Sequence, residues 1–71
     1  MLWLRHLRNW LLADYDRRRR KIDIEILWPA ILHRAPNIVL ARDAFLLHCL
    51  TDPAWKSVEL PEIYAVVESL S

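Results

Sequence analysis

The chain has 71 residues, 55% of them hydrophobic, with no glycine, one cysteine and a formal net charge of +1 at neutral pH. A chain of this size makes one small domain that buries only about 60% of its unfolded surface, which excludes a two-domain enzyme, a barrel or a doubly wound sheet, and its apolar content excludes intrinsic disorder. Zero glycine excludes phosphate-cradling fingerprints and disfavours tight hairpins, and the single Cys49 excludes an internal disulfide framework and a cysteine-rich zinc site.

The balance favours an all-α protein: a compact bundle of three to four short helices forming one domain over residues 1–71. At 100° per residue, Trp3, Leu4, Leu7, Trp10 and Leu11 share a stripe, with Arg5, His6, Arg8 and Asn9 opposite. This predicts an amphipathic helix over roughly residues 2–14. Its polar interruptions, and the lack of a small-residue cleavage site after it, argue against a secretory leader. No uninterrupted apolar run reaches the ~18 residues of a membrane-spanning helix. Asp14 to Lys21 continues as a charged stretch, either a solvated extension of that helix or a connector.

Residues 21–35 read two ways. Lys21-Ile22-Asp23-Ile24-Glu25-Ile26 alternates like a strand, yet Ile24, Leu27, Trp28, Ile31 and Leu32 form a helical stripe. A lone strand would have only another copy to pair with, so helix is the reading taken. Pro29 should kink or interrupt it, and Trp28 before the proline is expected to lean toward extended geometry.

Ala35-Pro36-Asn37 is a turn, with Asn37 as the cap of a central helix over residues 38–50. That helix is apolar nearly all round and is expected to be buried on most sides. Asp52-Pro53 restarts the chain as N-cap and first helical position. Trp55 follows in a short turn, and Trp28 and Trp55 are expected in the core. Leu60-Pro61-Glu62 opens a last helix whose Ile63, Val66, Val67 and Leu70 form a stripe, with Glu59 and Glu62 in capping roles.

The charge is polarised. Residues 1–21 hold Arg5, Arg8, Arg17, Arg18, Arg19, Arg20 and Lys21 against Asp14 and Asp16, a net +5; residues 22–71 are net −4. The run Arg17, Arg18, Arg19, Arg20 and Lys21 is the sharpest chemical feature. It can grip an acidic protein surface through guanidinium–carboxylate pairing or neutralise nucleic-acid phosphates. Alternatively it is a solvated face pairing with Asp14, Asp16, Asp23 and Glu25, with Asp16–Arg20 and Lys21–Glu25 at helical i,i+4 spacing.

Trp3 and Trp10, seven residues apart, offer a docking face for a partner helix, a seam between copies, or part of the core. The same helix followed by the basic run also has the pattern of a peripheral membrane segment.

Adjacent His48 and Cys49 point about 100° apart on a helix, and no cofactor, metal or catalytic set is predicted. Cys49 is expected to be a small buried hydrophobe. The single cysteine fits a reducing, cytoplasmic setting.

Three segments carry a resemblance: Leu27-Trp28-Pro29-Ala30-Ile31; Ala41-Arg42-Asp43-Ala44-Phe45 with His48; and Asp52-Pro53-Ala54-Trp55. Across roughly residues 15–55 the chain resembles short proteins of bacteriophages and other mobile elements. The resemblance transfers no functional residue. It implies an accessory protein that binds and blocks a host enzyme or defence complex, anti-CRISPR behaviour included. The function expected is therefore a non-enzymatic module for a protein partner or for self-association. Nucleic-acid binding through Arg17–Lys21 is the alternative, and peripheral membrane association the third reading.

Overall fold

In the computed structural model the backbone of residues 2–70 and the side chains of residues 11–70 are described. All the regular structure there is helical. Helix α1 (Leu2–Ile22), a π-helical turn (Asp23–Leu27) and α2 (Trp28–Arg34) follow one another without a break. After them come α3 (Ile38–Thr51), a 3-10 turn (Pro53–Trp55) and α4 (Leu60–Ser69). Residues 2–34, at ~1.5 Å each, account for a rod of about 50 Å, which sets the long dimension of the 52 × 22 × 18 Å molecule.

The rod decides one open reading and corrects one expectation. Of the two readings for Asp14 to Lys21, extension of the first helix or connector, the chain takes the extension, and α1 runs on to Ile22. Pro29, against expectation, does not break the rod or push Trp28 toward extended geometry. Ile22, Leu27 and Trp28 all keep right-handed helical backbone angles. The proline is instead accommodated by a widened turn, in which the Trp28 amide donates to the Asp23 carbonyl five residues back. Proline has no amide to donate, and its ring would strike the carbonyl four residues earlier in a regular α-helix. The wide turn also sets phase. Five residues of α-helix would place Asp23 and Trp28 roughly 140° apart; at roughly 80° per residue they come within about 40° of each other. Both are buried.

Among the described residues none has a positive φ, as a chain without glycine requires. Extended residues flank the helices: Ala35 (φ −74°, ψ 145°) after α2, Asp52 (−88°, 131°) after α3 and Glu59 (−73°, 151°) before α4. Pro36 and Pro53 enforce this at the residues before them. Asn37 Oδ1 caps α3 by accepting from the Leu40 amide at 3.0 Å, and Asp52 Oδ1 caps the 3-10 turn through the Ala54 amide at 2.9 Å. Glu59 occupies the N-cap of α4, but its side chain makes no capping bond.

Phe45 on α3, 0% exposed, is the centre of the core. Trp28 and Trp55 meet it edge-on at ring separations of 5.8 and 6.0 Å. Ala41, Cys49, Ala54, Ile63, Val67 and Leu70 complete the cluster. Helix α3 is central, but its burial is confined to the stripe Ala41–Phe45–Cys49. The expectation that it is covered on most sides does not hold: Val39, Leu40, Leu47 and Leu50 lie exposed, Leu47 at 63%. Among the described residues, α2, α4 and the 3-10 turn pack against the side of α3 that carries this stripe. Arg42 ties α3 to the end of α4, donating through Nε and Nη2 to the Leu70 carbonyl at 3.1 and 3.0 Å. Among the described residues no helix is long and apolar enough to cross a membrane.

Candidate functional site

Two places concentrate chemistry: a polar cluster where the π turn meets α3 and the 3-10 turn, and the outer side of α1.

The cluster is built around Asp23, which is 2% exposed. Its Oδ2 accepts from Trp55 Nε1 and from His48 Nε2, each at 2.9 Å, and its Oδ1 accepts from Arg19 Nε at 3.4 Å. Burial alone would raise this carboxyl, but the bonds from Trp55, His48 and Arg19 outweigh it and hold the group below its ordinary value. An ionised carboxylate only accepts, so His48 carries its hydrogen on Nε2. Asp52 stands at the edge, its Oδ2 at 3.7 Å from His48 Nε2 and 3.8 Å from Arg19 Nη2.

Asp23, His48 and Asp52 each direct one potential ligand atom into a space where these atoms lie within 4.8 Å of one another. Two carboxylates and an imidazole suit a divalent cation by type. The arrangement around them does not. The Arg19 guanidinium, 3.4 Å from Asp23 Oδ1 and 3.8 Å from Asp52 Oδ2, already supplies positive charge there, and the Trp55 indole N–H donates to Asp23 Oδ2. No buried side-chain nitrogen or oxygen among the described residues lacks a partner. The cluster is a satisfied polar pin that fastens the π turn to α3 and to the 3-10 turn.

Cys49, one residue from His48, is buried in the core, and burial, reinforced by the charges of Asp23 and Asp52, pushes its thiol up to about 12. It is the small buried hydrophobe expected, and the opposite of an activated thiolate.

The basic run divides into two kinds of residue. Arg20 turns inward and donates to the Ala54 carbonyl at 2.6 Å, while Arg19 joins the pin. Arg20 therefore does not pair with Asp16 as its spacing suggested, because a backbone carbonyl across the fold takes its guanidinium. Arg17, Arg18 and Lys21 face solvent. Arg17 and Arg18 share Asp14 at 2.5 and 3.1 Å, and Lys21 lies 3.9 Å from Glu25, the pair expected from its spacing. The side chains of Trp3 and Trp10, expected as a docking face, lie outside the described residues.

Along the side of α1 that carries Arg18 runs a groove of about 630 Å³ whose lining includes Tyr15, Arg18, Arg19, Ile22, Asp23, Ile26 and Ala30. Tyr15 and Ile26 are 62% and 66% exposed.

Sequence reading missed both the pin and the groove. The i,i+4 pair His48–Asp52 was present in the sequence, but its third member comes from the π turn, whose phase the spacing does not reveal. The groove's signal was the apolar side of the KIDIEI run, hidden by that run's strand-like alternation.

Comparison with protein-family models, with curated proteins and with solved structures gives no match to this chain.

Proposed function

We propose that this chain is a non-catalytic protein-binding module that works by occupying the surface of a partner protein. The observation that carries the reading is the amount of large apolar side chain left outside the core on two faces: Tyr15, Ile22 and Ile26 on the rod, and Val39, Leu47 and Leu50 on α3. Scattered exposed hydrophobics are ordinary, but contiguous rows rimmed by charge mark interaction surfaces. The suppressed thiol of Cys49 and the fully bonded pin support a role without chemistry. The resemblance to phage and mobile-element proteins suggests the setting, in which an accessory protein blocks a host protein or defence complex.

Nucleic-acid binding through Arg17–Lys21 is the weaker reading. Two of the five cations are used within the fold, which leaves three for phosphates. Phosphate binding gains from cations free to release counterions.

Affinity capture from host-cell extract tests the proposal, with wild type compared against Ile26→Asp and Leu47→Asp. A protein enriched by wild type and lost with either variant is the expected result. Enrichment of nothing, or retention of nucleic acid alone, would reject it.

A further inference from the structure

We infer that the groove along the outer side of α1 and the π turn is a docking site for an acidic amphipathic helix. This rests on the protein-binding reading above and names the partner's chemistry.

The shape fits a helix. Leu11, Tyr15, Ile22, Ile26 and Ala30 follow one another at steps close to whole helical turns, and the widened turn keeps Ile26 in line with Ile22. From residue 11 to residue 30 the row runs for about 28 Å, which is roughly five turns of a partner helix. Helix α1 is held to the fold by Arg20 on the Ala54 carbonyl, away from the row, and by the Arg19–Asp23 pair, which forms part of the groove's wall. Tyr15, Ile22 and Ile26 are all about half exposed or more.

Charge selects the occupant. Arg18 lines the groove and is 78% exposed at the side chain, and Arg19 beside it is 44% exposed. The pair of Arg18 with Asp14 is a surface i,i+4 contact, which exchanges easily. A second copy of this chain is a poor occupant. The basic run lies near the middle of the row, so parallel and antiparallel pairing both set arginines against arginines. A nucleic acid would meet the cations but has no use for the row of Tyr15, Ile22 and Ile26. A bilayer favours apolar side chains that protrude, whereas these line a groove. A helix with an apolar seam and glutamates along its flanks satisfies the groove and the cations together.

The test uses two fluorescent synthetic helices of roughly 20 residues with leucine along one seam, one bearing glutamate and the other lysine at the flanking positions. Anisotropy is measured with the full chain at low and physiological salt. The glutamate helix should bind, weaken as salt rises, and exceed the lysine helix by about tenfold or more. Ile26→Asp should reduce its affinity by about tenfold or more, and Leu47→Asp on α3 should leave it unchanged. Circular dichroism of both variants checks that they fold. Three results would overturn the inference: no binding of the glutamate helix, equal binding of the lysine helix, or sensitivity to Leu47→Asp in place of Ile26→Asp. Displacement of the glutamate helix by random-sequence duplex or anionic vesicles would overturn it as well. Should the capture experiment still enrich a partner that Ile26→Asp retains and Leu47→Asp loses, the docking groove is wrong and the binding-module reading stands.

Discussion

Among the described residues Asp23 is the one buried charged residue, and its cost is met by three donors from three elements. A buried carboxylate stripped of its bonds would be strongly unfavourable; with Trp55, His48 and Arg19 around it, it fixes the relative position of the rod, α3 and the 3-10 turn. Asp23→Ala leaves an indole N–H and an imidazole N–H facing a void, and breaking a buried charge cluster from one side costs about 3–5 kcal/mol. In a domain of this size a loss of that order lowers the melting temperature by roughly 12 °C or more, which a thermal melt by circular dichroism reads directly. The pH dependence follows from the same carboxyl. Its value is lowered in the folded state, so its contribution is fully present above the unfolded value of about 3.9 and is lost as pH falls through the lower folded value. Wild type should therefore lose stability below about pH 4 more steeply than Asp23→Asn, which has no such titration. Equal slopes would mean that the pin carries no net electrostatic stabilisation. Cys49 supplies a second residue-scale expectation. With its thiol raised to about 12 and buried, it should resist a thiol-modifying reagent at neutral pH and react at the rate of a free cysteine once urea unfolds the chain. Rapid labelling of the folded protein would contradict its place in the core.

At the scale of elements, the π turn is a one-residue insertion that reconciles Pro29 with the burial of both Asp23 and Trp28. Deleting the exposed Glu25 should convert the turn to ordinary α-helix while keeping those two residues on one side, now four positions apart. It also places Pro29 inside a regular helix, where the missing hydrogen bond and the ring clash cost about 3 kcal/mol. The deletion combined with Pro29→Ala removes that cost. Urea titration should thus show the single deletion destabilised by about 3 kcal/mol and the combined variant within about 1 kcal/mol of wild type. If the combined variant is as unstable as the deletion, the wide turn has a role beyond accommodating proline. Much of the element order was legible beforehand, because caps and prolines are local signals: Asn37, Asp52-Pro53 and Leu60-Pro61 mark starts that the structure uses. The alternating run at residues 21–26 was not legible. A two-residue period and a π turn both place every second or fifth side chain in ways a regular helix does not, and only packing against α3 and Trp55 decides between them. The pin was hidden for the same reason, since its key residue is aimed by that turn.

For the whole molecule, apolar content and coverage part company. The near-continuous hydrophobicity of α3 announces a core helix, and Ala41, Phe45 and Cys49 meet that expectation. Periodicity cannot say how many neighbours will arrive, and α2, α4 and the 3-10 turn cover only one side. The charge asymmetry was equally plain in the sequence, but its division into Arg19 and Arg20, spent on the fold, and Arg17, Arg18 and Lys21, left facing solvent, depends on the fold: Arg20 reaches the Ala54 carbonyl far along the chain, and the Asp23 that takes Arg19 is itself held by Trp55. That division allows structure and binding to be separated by mutation. Replacing Arg17, Arg18 and Lys21 together by glutamine removes three exposed pairs, each worth about 0.3–0.5 kcal/mol, so stability should change by about 1 kcal/mol. The same replacement removes Arg18, the most exposed cation in the groove's lining, so affinity for the glutamate-flanked helix should fall by about tenfold and its salt dependence should flatten. Urea titration and anisotropy on one preparation give both quantities. Unchanged affinity would mean that the solvent-facing cations serve solubility alone; a large loss of stability would mean that they belong, with Arg19 and Arg20, to the machinery that holds the rod in place.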